Sequence, residues 1–170
     1  MSTAYILPFW LPGGVGDDVL PIREWPAPAR RVDGPTGLCW HNAREFASQD
    51  PDRHAYAEGL VSCRWTEDAE AHWEQHGWVV DRHSDAVIET TTRYHDAAVR
   101  YWGTIFDVRR VNEFLDMGGR REEYRWTWPD GRVHAEAPGV VNIFLNELND
   151  GKHDAMSVGL MLASLAEEAE

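Results

Sequence analysis

The sequence predicts an α+β domain, in which a cysteine-bearing helix is followed by antiparallel strands. Two observations lead there. Residues 38–49 carry apolar side chains at helical spacing, and residues 55–65 alternate in the manner of a half-buried strand. Hairpin-like segments then follow without the regular strand–helix alternation that a doubly wound parallel sheet requires.

Taken in order, residues 1–36 hold Pro8, Pro12, Pro21, Pro26, Pro28 and Pro35 together with Gly13, Gly14 and Gly16. Such a segment reads as an extended arm lying over a single domain of residues 37–170, with a short strand possible near its start. In the helix over 38–49, Cys39, Ala43, Phe46 and Ala47 share a face; Thr36 is the expected cap, and Asp50-Pro51 the stop. The strand over 55–65 is followed by an expected hairpin, 69–75 with 78–82, turning at His76-Gly77. Asp107 caps a second helix over 107–117, whose stripe is Val108, Val111 and Leu115 and whose stop is Gly118-Gly119. A hairpin over 122–128 and 131–136 turns around Pro129-Asp130-Gly131. Residues 139–148 fit strand or helix, and 153–168 read as a closing helix.

Composition narrows the function classes. Of 170 residues, 43% are hydrophobic and 26% charged, an ordinary globular balance that excludes wholesale disorder. No apolar run reaches the length of a membrane span. The net charge of −13 disfavours nucleic acid as a partner, because phosphate backbones are repelled. It leaves a basic partner open. Cys39 and Cys63 are too few for a disulfide framework, and the N-terminus lacks the basic region of a secretion signal. A cytoplasmic location with free thiols is the expectation.

Cys39 is the residue with the clearest chemical promise. In the first turn of a helix, backbone N–H groups lack intrahelical partners and the dipole is positive, which favours a thiolate. The same groups, the N–H of Cys39 among them, can stabilise an oxyanion. The plain alternative is a small buried core residue. If His76-Gly77 is a two-residue turn, His72 faces Asp81 on the neighbouring strand, a carboxylate placed to orient an imidazole. A thiol, an imidazole and a carboxylate then appear in that order. The plain alternative here is a structural contact on a sheet surface.

Gly37-Leu38-Cys39-Trp40-His41-Asn42-Ala43, Tyr56-Ala57-Glu58-Gly59, His72 with Gly77 to Asp81, and Tyr101-Trp102-Gly103 together resemble the pattern of small papain-like or transglutaminase-like Cys-His-Asp proteins. The resemblance covers roughly residues 37–106. It implies a papain-like or transglutaminase-like α+β fold, with Cys39 as nucleophile, His72 as general base and Asp81 as orienter. The expected activity is hydrolysis or acyl transfer at an amide bond of a peptide or protein, without metal or cofactor. Asn42, one turn after Cys39, is a weaker candidate for lining the oxyanion or substrate site, or else a structural residue. Two other classes stay open: a non-catalytic acidic protein occupying a basic partner, and a zinc protein using His72 and His76 if 67–75 is helical. Cys63 reads as core, while Glu58 fits either the site or solvent.

Overall fold

In the computed structural model the described residues are 22–117, 124–127, 133–136, 139–141 and 155–166. Their elements run β1 (Arg23–Pro26), β2 (Arg30–Arg31), α1 (Cys39–Gln49), β3 (His54–Cys63), β4 (His72–Asp81), β5 (Ala86–Glu89), a short 3₁₀ turn (Thr92–Tyr94), β6 (Ala98–Phe106), α2 (Val108–Met117), β7 (Tyr124–Thr127), β8 (Val133–Glu136) and α3 (Ala155–Leu165). The class is α+β. Among the described residues no helix is long and apolar enough to cross a membrane.

Six strands form one mixed sheet in the order β1-β6-β3-β4-β5-β2; β2 and β5 run parallel and the other neighbours antiparallel. β7 and β8 pair separately. β1 and β2 sit at opposite edges, yet only residues 27–29 separate them. In a flat sheet those edges would lie about 24 Å apart. The chain from Pro26 to Arg30 reaches only about 14 Å. The sheet therefore curls until its edges approach. β1 lies against β5 as well as β6. There the indole N–H of Trp25 donates to Asp85 at 3.2 Å, and Arg23 pairs with the same carboxylate. Part of the expected N-terminal arm is thus integral to the sheet.

Curling divides the apolar residues into two clusters. Trp25, Ala57, Val61, Trp78, Val80, Val87, Tyr94 and Tyr101 pack together on the inner face. Tyr56, Leu60, Val79, Ile88 and Phe106 point outward, where Ala43 and Ala47 of α1, Val111 and Leu115 of α2 and Leu162 of α3 cover them. The strand alternation that exposes one face to each cluster is the ordinary period of two. In the inner row at His76, the two strand positions beside it are glycines: Gly59 pairs with His76 on one side and with Gly103 on the other. A Cβ on Gly103 would lie 2.7 Å from the Trp78 ring and 2.2 Å from the Glu58 carbonyl oxygen, so the large inner rings occupy the room those glycines leave.

Several expectations hold. α1 spans almost the expected range, Asp107 caps α2 by accepting the Arg109 N–H at 2.9 Å, and β7 and β8 form the expected pair. Others are corrected. Thr36 does not cap α1: Leu38 is the cap residue, and no side chain caps the helix. The hairpin at His76-Gly77 does not exist, because residues 72–81 are one continuous strand. Gly77 is a strand residue for a packing reason: a Cβ there would lie 2.8 Å from the Trp40 ring and 3.0 Å from its Cα. The missing side chain lets α1 begin directly on β4. The helical alternative for 67–75 falls too, since His72 to Gln75 belong to that strand. The stop at Gly118-Gly119, the turn at 129–131 and most of 139–148 lie outside the described residues.

Candidate active site

The expected trio is not assembled. His72 and Asp81 stand at opposite ends of β4, about 30 Å apart along the strand and on opposite faces. His72 pairs in register with Cys63, and Asp81 with His54. The half-exposed His72 has its Nε2 2.8 Å from Glu74 Oε1, with the Trp65 indole nitrogen at 2.9 Å. Asp81 closes the β4–β5 turn. It accepts the His83 and Ser84 N–H groups at 2.9 and 3.4 Å and pairs with Arg53 at 3.0 Å. Partial burial works against its charge, but these donors prevail and hold its carboxyl below the usual range.

A different imidazole meets the thiol. His76 and Glu89 are both fully buried, and His76 Nε2 donates to Glu89 Oε2 at 2.8 Å. β5 pairs with β4 only along Val79–Asp81, so Glu89 and His76 extend just past the paired stretch. The Cys39 thiol acts on the His76 ring by charge and by a side-chain contact. Nδ1, the ring nitrogen not used by Glu89, makes no conventional hydrogen bond. The zinc alternative loses its basis as well. His72 and His76 are about 13 Å apart along a strand, and Glu89 already occupies His76 Nε2.

The electrostatics follow from this placement. Burial disfavours a charged imidazole, but the Glu89 carboxylate and, after it, the neighbouring Cys39 outweigh it and raise the His76 pKa to about 10. Burial also raises Glu89, yet its pKa stays below the usual carboxylate range. The reasons are the His76 charge and donors from His76, the Tyr101 hydroxyl at 2.6 Å and the Thr91 N–H at 2.8 Å. The Tyr94 ring covers the imidazole, with centroids 4.1 Å apart. Trp78 lies nearly parallel to the imidazole, with centroids 6.4 Å apart. At Cys39, α1 has neither a side-chain cap nor an acidic residue in its first turn. A helix start without these leaves its N–H groups open to a negative charge. Cys63, by contrast, is a core thiol pushed up to about 12 by burial and by Glu74 and Glu89.

Two further polar residues find their places. Asn42 donates its side-chain amide to Pro35 O at 2.9 Å and Thr91 Oγ1 at 3.1 Å. Both amide protons are committed to protein oxygens, so the oxyanion role does not fit and the structural one does. Glu58 is fully buried beneath α1. Its oxygens accept the Tyr56 hydroxyl at 2.6 Å and the N–H groups of Val140 and Val141 at 2.7 and 3.1 Å. Burial raises its pKa against the pull of these donors. A Cβ on Gly139 would sit 2.4 Å from Glu58 and 2.7 Å from the Trp40 ring, so the Trp40 indole is seated between Gly77 and Gly139.

The sequence reading missed His76 and Glu89 as partners. One available signal was the uninterrupted alternation His72, Glu74, His76, Trp78, Val80, which marks a single strand as well as it marks two. The other was Val87-Ile88-Glu89, a short apolar strand ending in an acid. No family model, no curated protein and no solved structure matches the chain.

Proposed function

We propose that the protein is a thiol hydrolase or acyltransferase acting on an amide bond, of papain-like or transglutaminase-like type, with Cys39 as nucleophile, His76 as acid–base and Glu89 as orienter. The observation that carries this reading is the buried His76–Glu89 pair beside a cysteine in the first turn of α1. Cys39 as thiolate attacks the amide carbonyl carbon, and the developing oxyanion is met by N–H groups of the first turn. His76 gives its proton to the departing amine as the C–N bond breaks, which leaves a thioester on Cys39 and a neutral imidazole. Water or an amine then attacks the thioester; His76 takes the incoming proton, and the thiolate leaves. Glu89 holds Nε2 throughout, so Nδ1 is the nitrogen that exchanges protons.

Alkylation by iodoacetamide at pH 6, read by peptide mass spectrometry, tests the reading. Cys39 should react much faster than Cys63, and His76→Ala should remove most of that advantage. Equal rates at Cys39 in the wild type and in His76→Ala would overturn it.

A further inference from the structure

We infer that Asn42 is a positioning residue whose side-chain amide, through Thr91, ties the helix that carries Cys39 to the strand that carries Glu89. The inference rests on the catalytic reading above. Asn42 follows Cys39 by three residues, so both project from the same end of α1. Its amide donates to Thr91 Oγ1 at 3.1 Å. The Thr91 N–H donates to Glu89 Oε1 at 2.8 Å, and the other Glu89 oxygen holds His76 Nε2 at 2.8 Å. His76 in turn meets the Cys39 thiol. These links close a ring that runs from Cys39 along one helical turn to Asn42, across to Thr91, back along two residues to Glu89, and through His76 to the sulfur.

A second stitch runs beside it. The Thr92 hydroxyl donates to Gly34 O at 3.0 Å, and the Thr92 N–H reaches the same oxygen at 3.2 Å. Asn42 also donates to Pro35 O at 2.9 Å, so the segment entering α1 is fastened to the segment leaving β5. Gly34 makes this approach possible: a Cβ there would lie 2.1 Å from Thr90 O and 3.0 Å from Asn42 Nδ2. Asparagine suits the position because both neighbours are acceptors and its amide supplies two donors. Aspartate has the same shape but would set a carboxylate oxygen against the Pro35 carbonyl oxygen, which cannot donate.

The experiment measures the iodoacetamide alkylation rate of Cys39 across pH 5–9 in the intact protein, for wild type, Asn42→Ala, Thr91→Val, Thr91→Ser and His76→Ala, with thermal melts alongside. If the ring sets the thiol–imidazole spacing, Asn42→Ala and Thr91→Val should each slow alkylation at pH 6 by about three- to tenfold, the scale of one neutral hydrogen bond. Their pH profiles should move toward that of His76→Ala. Thr91→Ser, which keeps the hydroxyl and loses a methyl, should restore the wild-type profile. Wild-type pH profiles for both Asn42→Ala and Thr91→Val, whatever their melting points, would overturn the inference and make Asn42 structural only. A Thr91→Ser profile shifted further than that of Thr91→Val would overturn it too. Should Asn42→Ala fail to fold, the two Thr91 variants decide alone. A His76→Ala profile identical to wild type would instead sink the catalytic reading itself.

Discussion

β4 carries two histidines on the same face, each 2.8 Å from a carboxylate, and the two pairs are chemically unlike. His76 lies 2.8 Å from Glu89 with both side chains fully buried, whereas His72 lies 2.8 Å from Glu74 with side-chain exposures of 50% and 24%. Water screens the second pair and leaves it little to contribute. The first has no water to fall back on; its charges depend on one another and on the hydroxyl of Tyr101. Tyr94 joins the two, its ring on His76 and its hydroxyl donating to Glu74 at 2.9 Å. The lesson is that separation alone does not identify a functional pair. Burial sets the two pairs apart, and so does proximity to a thiol.

Four experiments would break or sharpen that contrast. The most direct effect is expected on thiol reactivity: His76→Ala should slow iodoacetamide alkylation of Cys39 at pH 6 by about 10–100-fold, because a smaller thiolate fraction is partly offset by greater intrinsic nucleophilicity. His72→Ala should leave that rate within about twofold, and a reversed ranking would restore His72 as the base. The next effect is on stability. Glu89→Ala strands a buried imidazole and should cost about 3–5 kcal/mol in urea unfolding, against less than about 1 kcal/mol for Glu74→Ala. Equal losses would mean that burial does not separate the pairs.

Gly77→Ala comes third. Its new Cβ would press on the Trp40 ring and on Trp40 Cα, which is backbone. The start of α1 must move, at about 1–3 kcal/mol. Cys39 alkylation at pH 6 should slow with it. A stable Gly77→Ala protein with unchanged alkylation would show that the helix start does not depend on this contact.

The last effect is one of pH. The His76 pKa is raised from its ordinary 6.5 to about 10, so the stability its charge supplies is complete below 6.5 and drains away as pH climbs toward 10. Glu89 is depressed, so its share is present above the ordinary carboxylate range and is lost as pH falls through its folded value. The stability gap between wild type and His76→Ala, measured by urea titration, should therefore narrow from pH 6.5 to 10. A gap that widens over that interval would mean the imidazole is buried neutral.

Much of the local structure was legible in the sequence. The stripe of Cys39, Ala43 and Ala47 marked α1 because it reflects a single face against a core, and the alternation of residues 55–65 marked β3 although that strand is buried on both faces. Cys39 at the helix start was legible for the same reason. The partners of the thiol were not. His76-Gly77 carries the chemistry of a tight turn, and only the Trp40 side chain, 37 residues earlier, explains the glycine otherwise. Glu89 reaches His76 across strands, and no local period encodes that pairing. β6 went unassigned, although Ala98–Phe106 lies between β1 and β3 in the sheet. The curl itself became visible only once β1 and β2 were seen at opposite edges.

That curl also sets an order of events during synthesis. α1 can form from neighbouring residues as soon as its own turn is made, but β1 at residues 23–26 must wait for residues 100–103 of β6 to appear. At roughly 5–20 residues per second, several seconds separate the two. Tyr101, which fixes Glu89 from inside the sheet, arrives with the same strand. Through that interval Cys39 belongs to a nascent helix whose imidazole partner has no fixed carboxylate. The thiol therefore gains its oriented imidazole only when the most distant strands have met.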